Sequence, residues 1–372
     1  MLKRLTMTTA ALVLASAFST PPAQAADYVY GSYLPPKHSA VRTLPPVFAA
    51  LKKESKGAIN WKVVSGGQLF GPKASLDGAG KGMADASVLI LPYFASSLPN
   101  AYTLNDLGAF GRIKSAVTAA AAEAMMVGCP ECIADYKKRN TIWLVGLGAG
   151  QQRLLCTKPV TKMKHLKGLK LRTSGGTGRL AKALGAVPVG LTSAELYMGL
   201  QRGQLDCIVG TPGWLISHRL IEMVTHVYDT PMAQPRGLAT LVMNLDKWKA
   251  MSTANKRLML KYASRLQAAV HITGYHADTQ RAKAAAKKKG IKWTMAGKDM
   301  ATFMKAYRAK ERAVVIKRAK KRGVKNPEAI IANHLKTIAK WEKIFGEKVP
   351  SAKTYADLVW KHLYSKLDPD KL

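Results

Sequence analysis

Cysteine is scarce in this chain: four in 372 residues, too few for a disulfide-built scaffold of that length. Acidic residues are scarce too, 22 against 58 Lys and Arg, which leaves a formal charge of +36. No apolar run reaches the roughly 18 residues that a spanning helix needs, so an integral membrane protein is not expected. The phosphate-cradling GxxxxGK[ST], the zinc-protease HExxH and the hydrolase GxSxG are all missing. Gly146, Gly148 and Gly150 lack the spacing of a dinucleotide fingerprint. Cys129-Pro130-Glu131-Cys132 has no second CxxC to complete a zinc site, and Ile133 stands where c-type haem attachment needs His. The reading therefore expects no enzyme, no cofactor and no metal. What is present is ordinary core material, 48% hydrophobic, with room for about two domains.

The N-terminus predicts export. Lys3 and Arg4 precede an apolar stretch from Ala10 to Ala17, and Ala23-Gln24-Ala25 supplies a small-x-small cleavage pattern. Residues 1–25 read as a signal peptide, and the apolar stretch is short for a membrane anchor. An oxidising compartment such as a bacterial periplasm follows. Beyond it, residues 27–34 alternate as a strand, 40–56 carry helical spacing, 59–64 alternate again and 84–91 read as a buried strand. A second β-α-β-α-β run follows. Residues 115–138 read as Ala-rich helix, 141–147, 153–157 and 169–173 as strands, and 205–209 as a buried strand. Thr192 and Glu195 make a capping box for a helix starting near Ser193. Beyond Lys247 the pattern is mostly helical, broken by a strand at 291–295. Two such runs predict an α/β protein of two lobes with a cleft between them.

Several motifs then carry a resemblance. Leu166-Lys167-Gly168-Leu169-Lys170-Leu171-Arg172 is followed by Leu184-Gly185-Ala186-Val187-Pro188-Val189, by Glu195-Leu196-Tyr197, and by Leu200 to Asp206. Gly67-Gln68-Leu69, the segment Gly80 to Asp85 and Asn244-Leu245-Asp246-Lys247-Trp248 extend the match over roughly 27–345. The chain resembles the DctP-type solute-binding proteins of tripartite ATP-independent periplasmic (TRAP) transporters. The resemblance implies a two-lobed periplasmic binding protein fold, each lobe a mixed sheet flanked by helices. It implies 26–150 as lobe I, with a return segment at about 236–290, and 151–235 as lobe II. Residues 291–372 would be a basic helical segment packing on both lobes. It also implies a monomer that binds a small organic acid and hands it to a small four-helix and a large twelve-helix permease subunit.

Within that frame Arg172 is the expected carboxylate ligand, because a guanidinium fork matches a carboxylate bidentately. It is expected to face water in the unliganded cleft. Arg153 is a second cleft candidate, unless the strand turns it outward, and Arg236 a third. Trp214 either walls an apolar ligand face or packs in the core. Tyr93, Leu91 and His38 complete the candidates, His38 against the alternative of an ordinary surface histidine. Gly210-Thr211 replaces the polar residue many relatives carry there, and 89–94 is apolar except for the Tyr93 phenol. An acid with an apolar or aromatic body is favoured over a sugar acid.

Cys129 and Cys132 are expected to form a local disulfide. They sit late in an Ala-rich helix region, where a thioredoxin-like motif would need a helix start. A bond between Cys156 and Cys207 is possible. The charge concentrates at the C-terminus: residues 251–372 hold 29 Lys and Arg against 9 acids. A rival reading is therefore binding of nucleic acid or an anionic envelope. The lack of interleaved aromatics and the export signal argue against nucleic acid. A third reading is a receptor for a signalling partner.

Overall fold

Alternation sets the first sheet. In β1 (Ala26–Gly31) Tyr28 and Tyr30 are buried while Val29 is half-buried. β2 (Ile59–Val64) lies parallel to it and pairs Trp61 with Tyr28, whose rings stack 5.0 Å apart. β3 (Ala86–Ile90) is buried almost throughout, as a strand covered on both faces must be. The structure is a computed structural model that describes residues 26–108, 114–147 and 150–372. The expected signal peptide, and Gly148 with its neighbour, lie outside the described residues.

The remaining strands are β4 (Thr141–Leu147), β5 (Gln152–Cys156), β6 (Lys170–Arg172), β7 (Val187–Val189), β8 (Cys207–Gly210), β9 (His226–Ala233), β10 (Leu238–Asn244) and β11 (Lys292–Met295). They form two sheets, ordered β2-β1-β3-β10-β4 and β11-β9-β5-β8-β6-β7. In the first, β10 returns antiparallel between β3 and β4. In the second, β5 runs antiparallel between β8 and β9. Period-two alternation splits the second lobe's core over both sheet faces: Leu154 and Leu171 go to one cluster, Leu155 and Ile208 to the other.

Two strand pairs cross between the lobes, β4 into β5 and β9 into β10. A third connection is helical. Thr253–Ala268 packs on the first lobe and continues through wide π-type turns at Ala269–His276 into Ala277–Lys288 against the second. Such turns inside a helix frequently mark functional positions. Helix Lys298–Lys321 also touches both lobes: Met300 and Met304 enter the second lobe's core, and Val315 meets Leu107 and Ile331.

The 115–138 stretch is not one helix. It breaks into Lys114–Met126 and Pro130–Lys137, because Gly128 weakens helix continuation and Pro130 can sit only in a first turn. Cys129 is consequently the N-cap of the second helix, its sulfur accepting from the Cys132 N–H at 3.2 Å, rather than late in a helix. Cys129 is disulfide-bonded to Cys132, and Cys156 to Cys207 across the β5–β8 pair.

Candidate functional site

β6 is three residues long and ends on Arg172, so the strand delivers this side chain to the boundary between the lobes. Arg172 is 2% exposed, not water-facing as its place in the cleft suggested. Its Nε donates to the Leu191 carbonyl at 2.9 Å and its Nη2 to the Tyr93 hydroxyl at 3.4 Å. The Tyr93 oxygen also accepts from the Ser193 N–H at 2.9 Å, so one first-lobe phenol ties down two second-lobe groups. No carboxylate lies within ion-pair distance of Arg172 among the described residues. Burial pushes its pKa down, and the nearby Tyr93, Tyr33 and Glu195 only oppose that.

Arg172 borders a cavity of about 490 Å³ that both lobes line. The first lobe supplies Leu34, His38, Ile90 and Pro92, the second Trp214 and Ser193. Gln152 and Leu238 come from the crossing strands, and Tyr275 from the π-type turns. The mostly apolar lining suits a small-molecule site. The Arg172 guanidinium carbon lies 5.7 Å from the Trp214 ring centroid, a cation–π distance. Gly210 makes room for that indole: a Cβ there would meet the ring at 2.4 Å. Gly210 thus has a packing reason. Four buried polar atoms near the cavity have no hydrogen-bond partner among the described residues: Trp214 Nε1, Ser193 Oγ, Gln152 Oε1 and Asn105 Oδ1.

His38 is buried, and its Nδ1 accepts from the Ala40 N–H at 3.1 Å, capping the helix Ser39–Arg42. Its ring sits 5.6 Å from His218 and 5.8 Å from Tyr275. Burial, helped by Arg42, pushes its pKa down to about 3, and burial also holds His218 well below the usual value. Both rings are neutral at pH 7.

The other candidates sit elsewhere. Arg153 leaves β5 toward Asp229, to which its Nε donates, and its Nη2 donates to Gln151 at 2.9 Å. It lines a separate cavity of about 690 Å³ with His276 and Lys283. Arg236 is 4% exposed and donates to the Leu107 carbonyl, while its neighbours Pro235 and Gly237 line the Arg172 cavity. Leu91 is packed in the first lobe's core, its N–H bonded to the Gly237 carbonyl at 2.8 Å. Sequence reasoning missed Ser193, Gln152, Asn105 and Tyr275. Ser193 had a usable signal in the Thr192–Glu195 capping box that contains it.

Two α/β lobes joined by crossing strands and a bridging helix, with a buried arginine at their boundary, define a two-lobed solute-binding protein of the periplasmic type. The chain belongs to the DctP family, bacterial extracellular solute-binding protein family 7, which matches residues 30–317. Its fold is similar to a TRAP periplasmic solute-binding protein of Bordetella bronchiseptica with bound (R)- and (S)-mandelate. That likeness has a TM-score of 0.72 at 20% identity and covers 85% of this chain and 99% of that one. It is also similar to one of Desulfovibrio salexigens in an open complex (0.70, 18%, covering 88% and 98%). A third is a marine-metagenome protein with co-purified pyroglutamate (0.69, 18%, covering 84% and 99%). A solute-binding protein of Albidiferax ferrireducens is 28% identical over 181 residues, 47% of this chain and 51% of that one. The chain thus spans about half the length of that curated relative.

Proposed function

We propose that this protein is an extracytoplasmic receptor that closes on a small organic acid and delivers it to a TRAP permease. It acts as a monomer and turns nothing over. The observation that carries the reading is Arg172, a buried guanidinium held by Leu191 and Tyr93 with no carboxylate of its own at the edge of an apolar cavity. A buried cation without an anion is costly, and a ligand carboxylate entering that position both satisfies it and gains from the low dielectric. Leu34, Ile90, Pro92, Leu238 and the Trp214 indole suit an apolar or aromatic body. Neutral His38 adds no competing charge. Among the acids seen in similar proteins, mandelate has such a body and glucuronate does not.

A thermal-shift screen of organic acids tests this. A ligand raises stability by RT ln(1 + [L]/Kd), about 2.7 kcal/mol at a hundredfold excess over Kd. Aromatic and branched monocarboxylates are expected to raise the midpoint, with their amides inert. Stabilisation by amides or neutral sugars but by no acid would refute the reading.

A further inference from the structure

The binding site leaves the protein's charge unexplained. Much of it lies on the longest helix, Lys298–Lys321, whose 24 residues span about 36 Å. Met300, Met304, Glu311, Val315 and Ala319 are its buried positions. On the outer arc nine Lys and Arg, from Lys298 to Lys321, are exposed. The helix holds two acids, Asp299 and Glu311, and Glu311 is buried against Arg179. Among the described ion pairs, only Lys320 of those nine cations has a partner, Glu328. The chain entering the helix adds exposed Lys287, Lys288, Lys289 and Lys292, the last on edge strand β11.

We propose that this outer face is a docking surface for an anionic phospholipid bilayer, independent of the ligand cavity. The charges wrap a wide arc rather than lining a groove. A field of lipid headgroups attracts such an arc additively and demands no shape match. A stable protein interface needs an apolar, aromatic-rich centre. This helix's large exposed apolar side chain is Val314, 38% exposed, and its aromatics Phe303 and Tyr307 stack on each other and pack against the second lobe. Single-stranded nucleic acid would need aromatic platforms among the cations, and that outer arc presents none among its exposed residues.

The test is co-sedimentation of the purified protein with phosphatidylcholine vesicles, with and without about one-third phosphatidylglycerol. Binding is expected only to the anionic vesicles, falling at least about tenfold between low salt and about 0.5 M salt. Lys305→Glu, Arg308→Glu, Arg312→Glu and Lys317→Glu together should lose at least about tenfold in partitioning. A control with the same charge change on the first lobe, Lys52→Glu, Lys53→Glu, Lys62→Glu and Lys81→Glu, should retain most binding. The eight residues are exposed, so both variants should keep the wild-type thermal midpoint. Equal loss in the two variants would mean that net charge alone attracts the vesicles and would overturn the proposal. So would equal binding to neutral vesicles, no binding to either, or DNA outcompeting the anionic vesicles at physiological salt.

Discussion

The place of Arg172 at the lobe boundary was legible from the motif around it, and its burial without a carboxylate partner makes its chemistry unusual. Truncating one partner of a desolvated charge pair loses roughly 2–5 kcal/mol, about 30- to several thousand-fold in Kd. Arg172→Ala is expected to fall in that range for the acid found by the screen, and Arg172→Lys to bind poorly because the fork is lost. Neither should unfold the protein, since the bonds to Leu191 and Tyr93 are worth about 1.5–3 kcal/mol each and removing a buried, unpaired cation offsets part of that. Binding of Arg172→Ala within about a factor of three of wild type, in a folded protein, would sink the carboxylate reading. Arg236 and Leu91 were not legible, because sequence places a residue on a strand end without saying toward which side the chain bends there. His38 carries a second prediction. Its pKa of about 3 lies below the unfolded value of 6.5, so the unfolded chain binds more protons between those limits. Stability is therefore full above pH 6.5 and falls as pH drops below it, by on the order of 1 kcal/mol per pH unit for one such group. His218 and His334 shift the same way, which steepens the fall. Thermal midpoints should drop between pH 7 and pH 5, and His334→Gln should flatten that drop; midpoints level over this range would contradict the neutral rings.

Element existence was more legible than element ends. Period-two alternation over 59–64 is unambiguous, and β2 spans Ile59–Val64. The 192–195 capping box is present, with Glu195 accepting from the Thr192 N–H at 2.8 Å. The Ala-rich stretch misled because alanine suits helix equally in one piece or two, and the Gly128–Pro130 break outweighs it. The two disulfides separate by loop length. Cys129–Cys132 spans three positions and Cys156–Cys207 spans 51. On the loop-entropy account the short one stabilises by about 2 kcal/mol and the long one by about 4. Urea unfolding of the paired Cys→Ala variants should show the larger loss for Cys156 and Cys207. Equal losses would mean that the long bridge acts on a denatured state already held compact.

At the scale of the molecule, a buried set of charges spans the lobe boundary. Arg179, on the second-lobe helix Thr177–Ala183, reaches Asp106 at the end of the first-lobe helix Pro99–Asp106 at 3.0 Å. It also pairs with Glu311 of the helix that touches both lobes. Arg322 approaches the other Asp106 oxygen at 3.5 Å and covers the Tyr102 ring at 4.6 Å. Two cations and two anions thus balance across the lobe boundary, and Asp106 is fully buried among them. Such a buried set adds little net stability, yet it is severely unbalanced when one member is lost. Asp106→Asn leaves Arg179 and Arg322 facing each other against Glu311 alone, which disfavours the arrangement that brings the lobes together. A coupling of about 1–3 kcal/mol would weaken ligand binding roughly 5- to 150-fold. The effect should appear as faster dissociation, because the closed lobes hold the ligand in. Stopped-flow dissociation measures it, and the variant should keep its preference for acids over amides because Arg172 is untouched. Adding Arg179→Met to Asp106→Asn restores the balance between Arg322 and Glu311, so the double variant should recover part of the lost affinity. A folded Asp106→Asn protein that releases ligand at the wild-type rate would show that these four side chains support the fold without governing closure.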